Sequence, residues 1–215
     1  MSACWGGRQT AAGIAESPYG GRNLIANALI MSESKVRFIT PPYIGGGFGG
    51  KLNLSGLMAI LPIAWKTNYR PVKIMLTREE EFTSTTRRHA SIVKLKTGVK
   101  KDGTIVSRHA KVMLDTGAYA DLGPVVLVKA AFGCVGPYKI PHVKVEASCV
   151  YTNKVVAGAY RGYGIPQVCW AYESQMDIIA KKLGIDPVEI RLKNIVEEGY
   201  ITPTEKQEAH AVGLG

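Results

Sequence analysis

The chain contains 215 residues, of which 46% are hydrophobic and 20% charged, so it can bury a real core in one domain or in two small ones. No apolar run reaches the roughly 18 residues that a membrane-spanning helix needs. The N-terminus has no charged start followed by an apolar core, so we expect no signal peptide and a cytoplasmic protein. The net charge of +10 is spread along the chain, which favours solvated faces or an anionic cofactor or partner over nucleic acid.

The cysteines and histidines give no sign of a metal centre. There are four of each, and neither a CxxC pair nor the spacing of metal-ligating histidines is present. We therefore expect no direct metal ligand and no iron–sulfur cluster in this chain. In a cytoplasmic protein the cysteines are expected to be small buried hydrophobic residues; they are Cys4, Cys134, Cys149 and Cys169.

Hydrophobic periodicity predicts an α+β protein with mixed sheets and helices, in one domain or two subdomains. Residues 1–19 show no clear period and are predicted to be an incomplete N-terminal segment without a folding element of its own. Residues 20–197 are predicted to be one domain, with a loop-rich part at 117–138, and residues 198–215 a flexible tail. The predicted helices are 20–31, 54–65, 166–184 and 186–195, and the predicted strands are 35–40, 71–77, 91–99, 104–114 and 143–151.

A glycine loop precedes the second predicted helix and reads Gly45-Gly46-Gly47-Phe48-Gly49-Gly50-Lys51. Glycine permits positive φ angles and close approach to the backbone, and bare N–H groups before a helix bind anions. One glycine is enough for a tight turn. Five glycines in six residues therefore favour a ligand held against the backbone.

A nucleotide is the first candidate ligand, because this loop satisfies GxxxxGK. A phosphate loop, however, continues with Ser or Thr to hold magnesium, and Leu52 stands there instead. Asp115, the possible partner aspartate, lies on a predicted hairpin rather than on a parallel strand. A nucleotide-binding module of the ATPase or GTPase type is thus kept only as an alternative.

A second glycine loop runs from Gly158 to Gln167 and reads Gly-Ala-Tyr-Arg-Gly-Tyr-Gly-Ile-Pro-Gln. An arginine between aromatic residues and glycines, just before a helix, suits recognition of an anion or a planar ring. The alternative is an arginine that pairs with a nearby carboxylate.

Taken together, the two loops resemble the large subunit of the xanthine dehydrogenase, aldehyde oxidoreductase and 4-hydroxybenzoyl-CoA reductase family. The resemblance runs from about Glu16 to about Glu197. Other similar segments follow in the expected order; they are Leu76-Thr77-Arg78-Glu79-Glu80, Lys101-Asp102-Gly103-Thr104-Ile105, Gly117-Ala118-Tyr119, Tyr138-Lys139-Ile140-Pro141 and Leu183-Gly184 to Asn194.

The resemblance implies a molybdenum–molybdopterin cofactor, in bacteria usually in its cytosine dinucleotide form. The implied reaction is hydroxylation of an aldehyde, N-heterocycle or aromatic thioester, or the related reduction. Residues 20–197 then form a partial molybdenum-cofactor-binding domain. Iron–sulfur clusters and FAD are then expected on partner subunits of an oligomer. From the spread of charge and the lack of a long apolar run, we expect neither nucleic acid nor a membrane as a partner. The residues implied at the cofactor are Glu16, Gly47, Phe48, Gly49 and Arg161, and those implied at the substrate are Leu52, Lys129 and Tyr163.

Three features depart from the family pattern. Glu16 stands where a glutamine at the metal is usual; because an ionised carboxylate cannot donate a hydrogen bond, either Glu16 is protonated or the motif is out of register. Leu52 replaces a glutamate that purine hydroxylases use to hold their substrate. Lys129 falls near a substrate-binding arginine of those enzymes. Besides these three positions, the second loop lacks the cysteine of the copper-bearing CO dehydrogenases. We therefore expect neither a purine nor CO as the substrate.

The catalytic base of the family, a glutamate, belongs to the C-terminal part of the subunit, so no catalytic residue is assigned in this chain. The chain is expected to be a fragment or split subunit that is inactive alone and needs the rest of the large subunit. A non-catalytic assembly domain is the third hypothesis.

Overall fold

The computed structural model describes residues 2–5, 8–12, 15–43, 45–52, 54–67 and 70–203. They form two compact units, the first drawn from residues 1–88 and 158–161 and the second from residues 89–157 and 162–215. Helices and mixed sheets together confirm the α+β class. The elements are β1 (Ser2–Trp5), β2 (Arg8–Ala12), α1 (Pro18–Ala28), β3 (Val36–Ile39), α2 (Ser55–Lys66), α3 (Arg78–Ser84), β4 (Arg87–Arg88), β5 (Ala90–Val99), β6 (Ile105–Gly117), α4 (Gly123–Gly133), β7 (His142–Tyr151), β8 (Ala157–Gly158), α5 (Ile165–Leu183) and α6 (Pro187–Asn194).

The first unit contains a three-stranded sheet in the order β1-β2-β3, in which β1 is antiparallel and β3 parallel to β2. The prediction that residues 1–19 lack a folding element was therefore wrong. Strands of four and five residues are too short to show a clear alternation, and their pairing depends on backbone partners elsewhere in the chain. Most of the predicted tail, residues 204–215, lies outside the described residues.

Two helices supply most of the core of the first unit. Helix α1 begins at Pro18. It is capped by the preceding residue, Ser17, whose hydroxyl oxygen accepts a hydrogen bond from the N–H of Gly20 at 3.3 Å. Helix α2 confirms the predicted helix at 54–65 and continues through Pro62. The buried apolar side chains of this core are Ile25, Ala26, Val36, Leu57, Ile60 and Leu61.

The predicted strand at 71–77 was wrong, because the structure has only an isolated bridge at Val72 there. The chain instead forms α3 directly afterwards. The Thr77 hydroxyl accepts from the N–H of Glu80 at 3.2 Å, and the Glu80 carboxylate accepts from the N–H of Thr77 at 2.7 Å. This capping box has the sequence Thr-x-x-Glu and was the signal for a helix that the prediction missed.

The second unit contains the sheet β5-β6-β7, with helices α4 and α5 packed on one face. The predicted hairpin is confirmed by the antiparallel pairing of β5 with β6, and β7 lies parallel to β6. The loop-rich prediction for 117–138 was incomplete, because 11 of these residues form α4. Every fourth residue of α5 faces the core, as the predicted helix requires; these residues are Val168, Tyr172, Met176 and Ala180.

Arg108 is a cation in the core of the second unit, with only 1% of its surface exposed. Its Nη1 donates to the carbonyl oxygens of Cys134 and Val135, at 3.0 and 2.9 Å. Its Nε donates to the hydroxyl of Thr97 at 3.3 Å. Burial lowers the pKa of the guanidinium from its ordinary value. Arg108 thus joins β6 to the chain that follows α4.

Cys134 is expected to resist alkylation in the folded protein. Its side chain is fully buried, and burial raises the pKa of its thiol to about 11. At pH 8 only about one molecule in a thousand then carries the reactive thiolate. Mass spectrometry after iodoacetamide treatment should find Cys134 unmodified in the native protein and modified in urea. Native modification as fast as that of a short cysteine peptide would contradict this burial.

None of the helices among the described residues combines the length and apolar character that crossing a bilayer requires.

Candidate functional site

The first glycine loop turns sharply at Phe48 and Gly49, whose φ angles are +55° and +94°. The N–H of Gly50 donates to the carbonyl oxygen of Gly47 at 3.0 Å, and that of Leu52 to Gly49 at 3.2 Å. A 3₁₀ turn at Gly50–Leu52 follows. The loop is thus a compact turn that leaves the Phe48 side chain 57% exposed.

The carboxylate of Glu16 anchors this loop. Its Oε1 accepts hydrogen bonds from the N–H groups of Gly49 and Lys51, at 2.9 and 3.2 Å. The N–H of Glu16 in turn donates to the carbonyl oxygen of Lys51 at 3.1 Å. These contacts need only an acceptor oxygen, which glutamate and glutamine both carry, so they do not explain the departure from the usual glutamine.

Contacts within the protein explain two of the loop glycines. A Cβ added at Gly47 would collide with the Glu16 carboxylate, and a Cβ at Gly49 would lie 2.5 Å from the carbonyl oxygen of Ala159. The argument that so many glycines point to a ligand was therefore too strong for these two positions. At Gly50 an added Cβ would have no neighbour within 4 Å, so this is the open backbone of the loop.

The two glycine loops meet through their backbones, although Phe48 and Arg161 are about 110 residues apart in sequence. The N–H of Arg161 donates to the carbonyl oxygen of Phe48 at 2.9 Å. The Arg161 guanidinium carbon lies 5.8 Å from the centroid of the Phe48 ring, within the range of a cation–π contact. With Glu16, Gly47 and Gly49, these residues form one cluster, which we call the loop cluster.

Arg88 also belongs to the loop cluster, and sequence reasoning missed it. Its Nη2 donates to the carbonyl oxygen of Arg161 at 2.9 Å, and its guanidinium carbon lies 4.7 Å from the centroid of the Tyr160 ring. Arg88 therefore holds the second loop by two contacts. The pair Arg87-Arg88 is visible in the sequence, but nothing in it indicates a partner more than 70 residues away.

Replacing Arg88 with methionine should loosen the second loop. The change removes a charge-assisted hydrogen bond worth about 1.5–3 kcal/mol, while the apolar stem can remain over Tyr160. We expect amide hydrogen exchange at Arg161 to rise at least about tenfold. Arg87→Met is the matched control, because Arg87 makes only a 3.4 Å contact with the carbonyl oxygen of Phe82. Equal exchange in the two variants would refute this role of Arg88.

The residues predicted at the substrate lie in both units. Leu52, 37% exposed, ends the 3₁₀ turn in the first unit. In the second unit Tyr163 packs against the core. Lys129 is exposed on α4 beside a cavity of about 520 Å³ that Phe132, Ile165 and Tyr172 also line.

Comparison with known proteins agrees with the family resemblance. A family model described as the molybdopterin cofactor-binding domain matches residues 5–195. The nicotinate dehydrogenase large molybdopterin subunit of Eubacterium barkeri is 41% identical over 93% of this chain and 46% of its own length. The xanthine dehydrogenase molybdenum-binding subunit of Escherichia coli O157:H7 is 38% identical over 96% of this chain and 27% of its own length.

Among solved structures, the aldehyde oxidoreductase from Desulfovibrio gigas superposes with a TM-score of 0.89 at 29% identity, over 96% of this chain and 23% of that protein. The chain thus spans about half the length of one of these relatives and about a quarter of the others. The family match covers most of the chain, and the loop cluster lies within it. The chain therefore belongs to the molybdopterin cofactor-binding domain family, the domain of xanthine dehydrogenase and aldehyde oxidoreductase-type enzymes.

Proposed function

We propose that the loop cluster forms part of the molybdenum-cofactor site of a hydroxylase of the xanthine dehydrogenase and aldehyde oxidoreductase type. The observation that carries the proposal is the hydrogen bond from the N–H of Arg161 to the carbonyl oxygen of Phe48, 2.9 Å long. It brings together two glycine loops that lie more than 100 residues apart in the sequence. A ligand bound by both loops would explain why the fold brings them together.

The chemistry of the loop cluster fits an anionic, oxygen-rich group. The side chain of Arg161 is exposed and can bind phosphate or oxo groups through several donors. In the described part of the chain, the N–H groups of Gly47 and Phe48 have no hydrogen-bond acceptor. The open backbone at Gly50 leaves room for close approach. When bound, the cofactor would supply the two-electron redox chemistry by which a carbon is hydroxylated with oxygen from water.

The residues of this chain have separate tasks in the proposal. Glu16 fixes the first loop through its two accepted hydrogen bonds, and Arg88 fixes the second. Arg161 neutralises the charge of the bound group. The Phe48 ring holds the Arg161 guanidinium in place through the cation–π contact. Leu52 and Tyr163 are proposed to line the approach of the substrate, and Lys129 to bind an anionic substrate group.

We propose an N-heterocycle such as nicotinate as the substrate class, in line with the 41% identity to a nicotinate dehydrogenase subunit and with Leu52 in place of the purine-binding glutamate. The cytosine dinucleotide form of the cofactor, and iron–sulfur and FAD-bearing partner subunits, complete the proposal. These 215 residues are proposed to form one part of the cofactor site and to show no turnover by themselves.

Metal and cofactor analysis of the protein, co-expressed with its neighbouring genes, tests the proposal. We expect about one molybdenum per chain, and release of a pterin and of cytidine monophosphate on acid treatment. Arg161→Met should lower the molybdenum content several-fold, whereas Arg161→Lys should lower it less. Nicotinate, xanthine and benzaldehyde with an artificial electron acceptor then test the substrate class. ATP binding that needs magnesium would instead favour the nucleotide-binding alternative, and neither ligand would favour an assembly domain.

A further inference from the structure

The face of the sheet β5-β6-β7 that lies opposite the helices carries a concentration of positive charge. Residues alternate between the two faces of a strand, and the register places basic side chains beside one another. Lys94 lies opposite Lys111, and Lys96 lies opposite His109. Lys144 of β7 lies beside His109 on the other side. We call these side chains, with Glu146, Ile92 and Met113, the basic face.

Among the side chains of the basic face, Glu146 is the one carboxylate; Asp115, further along β6, is paired with Lys154. Glu146 accepts from the Nζ atoms of Lys111 and Lys144, at 2.7 and 2.9 Å, and these two lysines lower the pKa of its carboxyl group to about 2. Lys94 and Lys96 have no ion-pair partner among the residues that the structure describes. Four lysines and one glutamate leave a net charge of about +3. The lysine ammonium groups therefore repel one another, and a bound anion would relieve this repulsion.

Next to the charges lies an exposed apolar pair. Ile92 and Met113 are 59% and 43% exposed and lie directly opposite each other on β5 and β6. They border a shallow cavity of about 290 Å³, which Ala147 and Ser148 also line. A cavity of this size accommodates an aliphatic side chain. Exposed apolar side chains rimmed by charged residues are typical of protein interaction sites.

We propose that the basic face is a docking surface for an acidic polypeptide segment. Carboxylates of the partner would pair with Lys94 and Lys96, and one aliphatic side chain would enter the cavity between Ile92 and Met113. Nucleic acid fits less well, because Glu146 in the middle of the face would repel phosphates. Among its named side chains the face has no Phe, Tyr or Trp on which a base could stack, and the His109 imidazole contacts Glu146 at 3.2 Å. The proposal is independent of the cofactor site.

The test uses the full chain and a fluorescein-labelled peptide, Glu-Glu-Asp-Leu-Glu-Glu, followed by fluorescence anisotropy at low salt. Lys94→Glu with Lys96→Glu should raise the Kd at least about tenfold. Lys181→Glu with Lys182→Glu is the matched control, since it changes the net charge equally at exposed positions of α5, and should change the Kd less than about twofold. Ile92→Ser should weaken binding of this peptide but not of one with glycine in place of leucine.

Several results would overturn the proposal. They are no binding of the peptide, equal loss in both charge-reversal variants, or tighter binding of a DNA duplex at the same lysines. Circular dichroism melting of each variant checks the fold. If the glutamate variant does not fold, Lys94→Gln with Lys96→Gln removes the same positive charges without adding negative ones, and should still raise the Kd several-fold.

Discussion

Gly49→Val should yield an enzyme complex that retains less than about a tenth of the wild-type molybdenum. Gly49 has a φ of +94°, which a β-branched residue adopts only with severe strain. Its Cβ would also lie 2.5 Å from the carbonyl oxygen of Ala159. The substitution therefore forces the two glycine loops apart, and the proposed site loses its geometry. Elemental analysis of the purified complex measures the effect.

Gly56→Ala is the matched control for Gly49→Val. Gly56 lies in α2, and an added Cβ there has no neighbour within 4 Å. Alanine in a helix is favoured over glycine by roughly 0.5–1 kcal/mol, so this variant should keep its molybdenum and melt no lower than the wild type. Full molybdenum content in Gly49→Val would show that contact between the two loops is not needed to hold the cofactor.

Arg108→Ala should lower the free energy of unfolding by about 3–5 kcal/mol, the range for large side chains removed from a core. The loss has two causes. The carbonyl oxygens of Cys134 and Val135 lose their donor, at about 1–3 kcal/mol for each buried unpaired group, and a cavity remains. The desolvation cost of the buried cation offsets part of this loss. Urea denaturation of the full chain, followed by circular dichroism, gives the value.

Arg108→Met separates the two causes, because methionine fills much of the cavity but donates no hydrogen bond. We expect its free energy of unfolding to lie between those of Arg108→Ala and the wild type. Lys111→Ala, three residues along the same strand but exposed, should change the free energy of unfolding by less than about 0.5 kcal/mol. An Arg108→Ala protein as stable as Lys111→Ala would mean that the guanidinium contributes no net stability.

Elements with a strong period or a turn signal could be predicted from the sequence. Helix α5 shows a buried residue every fourth position, and Asp102-Gly103 marks the hairpin turn between β5 and β6. Helices α3 and α4 were missed although each carried a local signal. The signal was the Thr77–Glu80 capping box for α3 and the proline in the first turn for α4.

Of the candidate site, only the residues that belong to recognisable motifs could be predicted from the sequence. The family resemblance pointed to both glycine loops, and the structure brings Phe48 and Arg161 into contact. The contacts of Arg88 with the second loop, and of Gly49 with Ala159, could not be foreseen. They join residues far apart in sequence through a backbone carbonyl or a ring face, and neither leaves a recognisable pattern along the chain.

The four residues 158–161 belong to the first unit, although the rest of that unit ends at residue 88. During synthesis, about 70 residues must be added after residue 88 before residues 158–161 exist. At ordinary rates of translation this takes roughly 4–14 s. During that interval the first loop lacks the Arg161 N–H that its Phe48 carbonyl accepts. The loop cluster can therefore assemble only after Arg161 has been synthesised, so a ligand that needs both loops cannot be held before then.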